Sequence, residues 1–316
     1  MGLMPRLRSR DDRRFFLLHV PTTLVVLMIL LSMLAVLVAY SLPILRKEGI
    51  HVFIDNAWRP SEDNPEKEYY GMAAAIFGSV YTGLLALLVS APLALSLAVA
   101  LEELVPSRLR GLVATLSDLM AATPTIIYGL WAMIYLAPVM YRVLLWLHRY
   151  LGWLPFFSEP PTPPGYSIAT AGVMLGIMST PYAAAVIREA YRMIPGHLRE
   201  AAYSIGATRF EAIRLLLGTI KPSILSALAL AFARAVGETV AVSLVIGNSF
   251  NISPSVTVPG ITVSSLIASQ FGNAQLYTYM TSFLFAGGLA LFAIGLAVNL
   301  AAVWFMKKWE EEMGGE

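Results

Sequence analysis

Polar residues are so sparse along this chain that its apolar positions fall into blocks rather than into an alternating or heptad pattern. Six blocks reach the roughly 20 residues that a helix rising about 1.5 Å per residue needs to cross a bilayer. They are Val20–Leu45, Gly71–Leu101, Leu119–Tyr141, Pro160–Ile187, Ser223–Gly247 and Leu276–Met306. The fourth opens on Pro160, Pro161, Pro163, Pro164 and Gly165, a run that belongs to a loop. The fifth is interrupted by Arg234 and Glu238. The pattern predicts an all-α polytopic membrane protein with six transmembrane helices.

Composition agrees. With 57% hydrophobic and 13% charged residues over 316 positions, too little polar surface exists to cover a water-soluble globule. The absence of cysteine excludes a disulfide scaffold, thiolate catalysis and Cys-ligated metal or iron–sulfur sites. The net charge of +2 is uninformative, but its distribution is not. Arg6, Arg8, Arg10, Arg13 and Arg14 precede the first block, Arg108 and Arg110 follow the second, six basic residues lie in 188–222, and Lys307 and Lys308 follow the sixth. That places fifteen basic residues on one side and six on the other, which predicts that both termini are cytoplasmic.

The expected organisation is a cytoplasmic tail over 1–19, a first span over 20–45, an external loop over 46–70, a five-helix core over 71–306 holding a cytoplasmic loop at 188–222, and a tail over 307–316. The first apolar run is too long for a signal-peptide core and has no clear cleavage site, so it reads as a retained anchor. Residues 142–165 set Trp146, Trp153, Phe156 and Phe157 beside Arg142 and Arg149, as at a membrane interface. This segment and the loop 46–70 serve equally well as plain connections.

The cytoplasmic loop carries its own folding code. Leu198, Ala202 and Ile205 share one face of a short helix, and Gly206 supplies a left-handed stop. Thr208 and Glu211 then form a capping box for a second helix, whose apolar side is Phe210, Ile213, Leu216 and Leu217. Such a bent unit can simply join two spans. Its mixed charges and the small side chains of Ala201 and Ala202 also suit a docking surface.

Glu200-Ala201-Ala202, three residues, then Gly206-Ala207-Thr208, resembles the EAA signature of integral-membrane permeases of ABC importers. The resemblance implies the MetI-like, type I importer fold, with Glu200, Ala201, Ala202, Gly206, Ala207 and Thr208 forming a coupling helix and turn seated on a separate ATPase subunit. The match departs after Arg214: the family's usual Leu-Pro is Gly218-Thr219 here, with the proline at Pro222.

Within the fifth block, Arg234 lies eleven residues past Ser223, roughly 16 Å along a helix and so near mid-bilayer. An arginine there costs about 2.5–3.5 kcal/mol on insertion-based scales. Helical spacing puts Glu238 on the same face four residues on, where the two charges offset one another. One reading is a packing ion pair. The other is an anion pathway, in which the forked guanidinium holds an oxyanion and Glu238 accepts a hydrogen bond from protonated phosphate, discriminating against sulfate. Arg234-Ala235-Val236-Gly237-Glu238-Thr239-Val240-Ala241-Val242 resembles the matching stretch of phosphate importer permeases, as do Thr123–Trp131 and Ile261–Gly272. The continuation through Gly247-Asn248 is more similar to PstC than to PstA subunits. The resemblance covers about residues 70–306 and implies that Arg234, Glu238 and Thr239 line a phosphate pathway in the cell membrane. It also implies the partners: ABC ATPase subunits, a second, PstA-like permease, and a phosphate-binding protein outside.

No Walker lysine motif and no G-x-S-x-G nucleophile elbow occurs, so the chain is expected to be no enzyme, to need no cofactor, and to leave ATP to its partners. Its histidines (His19, His51, His148, His197) are too scattered for a metal site, and nothing points to nucleic acid. Asp118 reads as a helix-edge residue or part of a gate. Gly172-x-x-x-Gly176 and Ser79-x-x-x-Gly83 read as close-packing steps, and Pro92 and Pro124 as bends. The alternatives are a permease for another oxyanion (sulfate, molybdate or phosphonate), an ion-coupled secondary carrier using Glu238, or a membrane scaffold. No internal repeat of the carrier type is visible.

Overall fold

The computed structural model describes the backbone of residues 10–314 and the side chains of residues 19–308. The expected tail up to residue 9, the side chains of Arg10, Arg13 and Arg14, and residues 315–316 lie outside the described residues.

The elements run α1 (Arg10–Glu48), α2 (His51–Ile54), a two-stranded hairpin β1 (Trp58–Arg59) and β2 (Tyr69–Tyr70), and α3 (Ala73–Val99) with a π turn at Ala100–Leu104. Next come α4 (Ser107–Ala122), α5 (Thr125–Trp131), a π segment at Ala132–Leu136, α6 (Ala137–Leu151) and α7 (Ile168–Arg192). The chain continues with α8 (Gly196–Ser204), α9 (Arg209–Thr219), α10 (Lys221–Gly237), α11 (Val240–Ser243), α12 (Val263–Gln270) and α13 (Met280–Gly314). Among the described residues, five helices are long and apolar enough to cross a membrane, and α9 with α10, bent by 73° at their junction, make a sixth if the pair is counted as one broken span. The chain is an all-α polytopic membrane protein.

The core is α3 packed along α7, with α10 against both. A stripe of small residues four apart makes the approach close: Ala74, Gly78, Thr82, Ala86, Ser90, Ala94 and Ala98 are all buried on α3. The expected glycine steps are packing positions. A Cβ at Gly172 would lie 2.6 Å from Leu85 Cβ, and one at Gly176 2.6 Å from Val89 Cβ. A Cβ at Gly83 would strike Val236 and Phe232 of α10, while Ser79 Oγ accepts a hydrogen bond from Val263 N at 2.9 Å.

At the end of the bundle away from α8, the hairpin is tied down by Glu68. Its buried carboxylate accepts hydrogen bonds from Tyr70 Oη, Thr278 N and Tyr279 N, each at 3.0 Å. The last two are donors at the start of α13, so a residue 210 positions upstream caps the last span. The expected external loop is thus an ordered lid.

Several span boundaries differ from expectation. The third span is Thr125–Leu151, shifted ten residues at its far end from Leu119–Tyr141. Thr123 precedes Pro124, which disfavours helical ψ; Thr123 takes ψ 130°, so the helix breaks there and restarts at Thr125. Pro92 instead lies inside an unbroken α3. The first helix already includes Arg10, ahead of the expected start at Val20, and α13 runs on to Gly314 where a separate tail was expected. The fifth span ends at Gly237 rather than Gly247.

Candidate functional site

Two regions carry the residues singled out by the sequence. The first is the knob between α7 and α10. Glu200, Ala201 and Ala202 lie on α8, which ends in a Schellman turn: Gly206 takes φ +82° and its N–H donates to Tyr203 O at 3.0 Å, while Ala207 N donates to Ala202 O at 3.3 Å. The capping box follows as the sequence indicates. Thr208 N donates to Glu211 Oε2 at 2.8 Å, and Glu211 N donates to Thr208 Oγ1 at 3.4 Å. The Thr208 hydroxyl, which donates to Glu211 Oε2 at 2.6 Å, and then the Thr208 N–H hold the Glu211 carboxyl below its ordinary pKa.

The apolar face expected of α8 is only partly used inside the chain. Ala202 is buried, but Leu198 is exposed, Ile205 is 78% exposed, and Phe210 on α9 is 74% exposed. Glu200, Ala201, Gly206 and Thr208 are also exposed. On α9, Leu216 faces the core, with Ile213 and Leu217 half-buried. The knob therefore presents bulky apolar side chains around a turn where backbone is accessible.

The second region is where α10 stops. The helix ends at Gly237, and Glu238 takes extended backbone (φ −69°, ψ 131°), so the expected i, i+4 pairing with Arg234 is absent. Among the described residues no ion pair joins the two. Glu238 is buried and works locally: its Oε1 accepts from Ala241 N at 3.2 Å, and its carbonyl accepts from Ser264 Oγ at 2.6 Å. The carboxylate caps α11, and a serine 26 positions on satisfies the carbonyl freed by the break. Thr239, half-buried, donates its hydroxyl to Gly237 O at 3.2 Å.

Arg234 lies against an aromatic face instead. Its Cζ is 3.9 Å from the centroid of the Tyr182 ring, and its Nε is buried without a hydrogen-bond partner. Tyr182 is fixed by its hydroxyl, which donates to Ala121 O. The same break at Thr123–Pro124 explains that bond, because the last carbonyls of α4 lack partners within the helix. Leu119 O accepts from Thr123 Oγ1 at 2.9 Å, Met120 O from Tyr128 Oη at 2.8 Å, and Ala121 O from Tyr182. Tyr182 was not picked out in the sequence, and Tyr128 entered only as part of the Thr123–Trp131 stretch; a tyrosine within an uncharged span was the available signal. Asp118 sits exposed on α4. Among the described residues, no cluster of side chains suits a metal ion.

Comparison with known proteins places this geometry in a family. Residues 90–311 match the binding-protein-dependent transport system inner membrane component family. The chain is 45% identical over 314 residues to a probable phosphate transport system permease protein PstC of Methanocaldococcus jannaschii, covering 99% of this chain and 98% of that protein. It is 35% identical to a phosphate transport system permease protein PstC of Xylella fastidiosa (93% of this chain, 90% of the relative) and 33% identical to that of Mesorhizobium japonicum (98% of each). Its fold is similar to a chain of a bacterial ABC transporter involved in import of the acidic polysaccharide alginate, with TM-score 0.57 at 16% identity over 95% of this chain and 98% of that one. The chain belongs to the inner-membrane permease family of binding-protein-dependent transport systems and groups there with the PstC-type permeases.

Proposed function

We propose that this chain is the permease subunit through which an ABC importer carries inorganic phosphate into the cell, with ATP bound and hydrolysed by partner subunits. Both termini and the α8–α9 knob then face the cytosol, and the Glu68 lid faces outward, toward a phosphate-binding protein. The knob, from Glu200 to Thr208, is the seat for the ATPase; its exposed Ile205 and Phe210 are the side chains such a partner would cover. A second, related permease would complete the pathway alongside α7 and α10.

The observation that carries the phosphate reading is the state of Arg234. Among the described residues, this cation inside the membrane has a buried Nε without a partner and no carboxylate within ion-pair distance, and it lies against the face of Tyr182. A ring engages the guanidinium's face and leaves its edge N–H groups for a tetrahedral oxyanion. Closure of the ATPase dimer would move the knob and open the pathway outward; hydrolysis would return it. Each ligand has to favour one of these states for the cycle to couple. Glu238, Thr239 and Arg234 together mark the break, but Glu238 is committed to Ala241 N, so its contact with phosphate requires that bond to open.

The test is ATP-dependent uptake of phosphate by proteoliposomes holding all subunits, with sulfate as competitor. Uptake that resists excess sulfate and disappears in Arg234→Gln supports the reading. Sulfate competing on equal terms would make the cargo another oxyanion, and unchanged uptake in Arg234→Gln would remove the arginine from the pathway. Glu238→Gln checks the proton-dependent discrimination: unaltered preference between the anions rules it out.

A further inference from the structure

The end of α3 nearest the knob carries two adjacent acids on a π turn, and they hold different parts of the molecule. Val105 N donates to Ala100 O at 2.8 Å, the i+5 bond of that turn. Glu102 Oε1 accepts from Arg192 Nε of α7 at 2.7 Å, and its Oε2 lies 3.8 Å from Arg110 Nη1 of α4. Glu103 Oε1 accepts from Tyr191 Oη of α7 at 2.9 Å and from Arg199 Nη1 of α8 at 2.5 Å. Arg199 Cζ also lies 5.5 Å from the centroid of the Tyr191 ring. The Glu103 side chain is only 7% exposed, so its charge-assisted bonds are shielded from solvent. Among the described ion pairs, Arg199–Glu103 is the one that ties α8 to a membrane span.

We propose that Glu103 is a positioning residue for transport: it gears α8 to α3 and α7, so that displacement of the knob is passed to the two helices at the centre of the bundle. This rests on the reading of α8 as the ATPase seat. The division of labour follows from the partners. Glu102 braces α3 to its neighbours α4 and α7, whereas Glu103 reaches the element that would move. The small-residue stripe of α3 then carries the motion, because α3 and α7 are packed too closely to slide without each other.

The chain lacks cysteine, so Ala201→Cys provides a unique site for cross-linking to the ATPase and tests the seat itself. In the reconstituted complete importer, the readout is ATP hydrolysed per phosphate moved. Glu103→Gln should raise that ratio by about tenfold, uptake falling while hydrolysis persists and the Ala201→Cys cross-link still forms. Glu103→Asp should restore part of the coupling. Glu102→Gln, which loosens the same turn without touching α8, should keep the normal ratio. Uptake and hydrolysis falling in step in Glu103→Gln, or a ratio equal to that of the native importer with the cross-link intact, would overturn the gearing. If Ala201→Cys cross-links to no ATPase even with Glu103 present, the seat is wrong, and the gearing falls with it.

Discussion

The stacking of Arg234 on Tyr182 leads to a pair of substitutions with opposite expected outcomes. Tyr182 contributes two separable things: a ring face 3.9 Å from the guanidinium carbon, and a hydroxyl that donates to Ala121 O. A desolvated cation–π contact is worth about 1–2 kcal/mol, or about 5–30-fold in an equilibrium constant. Tyr182→Leu removes the face and leaves the arginine free to reorient. If Arg234 holds the anion as proposed, the ring keeps the guanidinium in place for it, and loss of the face should raise the KM for phosphate by about 5–30-fold. Tyr182→Phe keeps the face and loses one hydrogen bond to the end of α4, worth about 1 kcal/mol. Its KM should stay within about twofold of the native value, and the cost should show as a lower thermal midpoint. The assay is initial-rate uptake into proteoliposomes over a range of external phosphate, with midpoints measured on the purified importer. The reasoning is refuted if Phe and Leu at 182 shift KM equally, since the hydroxyl would then matter and the face would not.

Gly206→Ala has open space around it, so its cost is backbone alone: forcing φ +82° on a residue with a Cβ costs about 1–2 kcal/mol. The protein should fold and insert, while ATPase docking weakens by about fivefold or more in a pull-down titration. Gly78→Ala is the opposite case, because its Cβ would lie 2.0 Å from the backbone oxygen of Ile261. Overpacking of about 1–3 kcal/mol should lower the thermal midpoint, with Gly295→Ala, which meets nothing within 4 Å, as an unaffected control. The Glu211 cap should make the start of α9 pH-sensitive. Its folded pKa is depressed, so its stabilising effect is present above the ordinary value of 4.5 and lost as the pH falls through the lowered one. Hydrogen-exchange protection of α9, corrected for intrinsic rates, should hold above the ordinary carboxyl value of 4.5 and drop as the pH falls below it, and Thr208→Val should abolish most of that dependence.

Local chemistry was legible in the sequence, and long-range partners were not. The Thr208–Glu211 box and the Gly206 stop depend on residues within a few positions of each other, and both form where their spacing put them. The six apolar blocks located the spans, but an uncharged run cannot mark a break inside itself. Thr123-Pro124 carried the signal for the third span, as the pre-proline residue does, yet apolar sequence on both sides hid how far the register moved. At Gly237 a local glycine was insufficient to predict a stop, because the break is supported by Ser264, whose hydroxyl takes up the Glu238 carbonyl. The i, i+4 argument for Arg234 and Glu238 failed for that reason. Glu102 and Glu103 were overlooked because acids at a span's end read as solvated; four basic or hydroxyl partners on three other helices hold them half-buried instead.

The break at Gly237 also narrows where positive charge for an anion can come from. Irregular backbone at membrane depth survives only if it is paired within protein or lines water. Residues 245–258 solve this by pairing with the first turn of α7: Val245 O accepts from Ser167 N at 3.1 Å, Val258 O from Ile168 N at 3.1 Å, and Val256 O from Ala169 N at 2.9 Å. Ser167 Oγ takes the next donor, Thr170 N, at 3.1 Å. A helix N-terminus attracts anions through such free N–H groups, and here all four are occupied, so α7 offers little to phosphate. On the proposed reading Arg234 is then the cation left to meet the cargo, and neutralising it should abolish uptake rather than weaken it. Residual, saturable uptake in Arg234→Gln with a KM near the native one would mean that the anion is held by groups elsewhere.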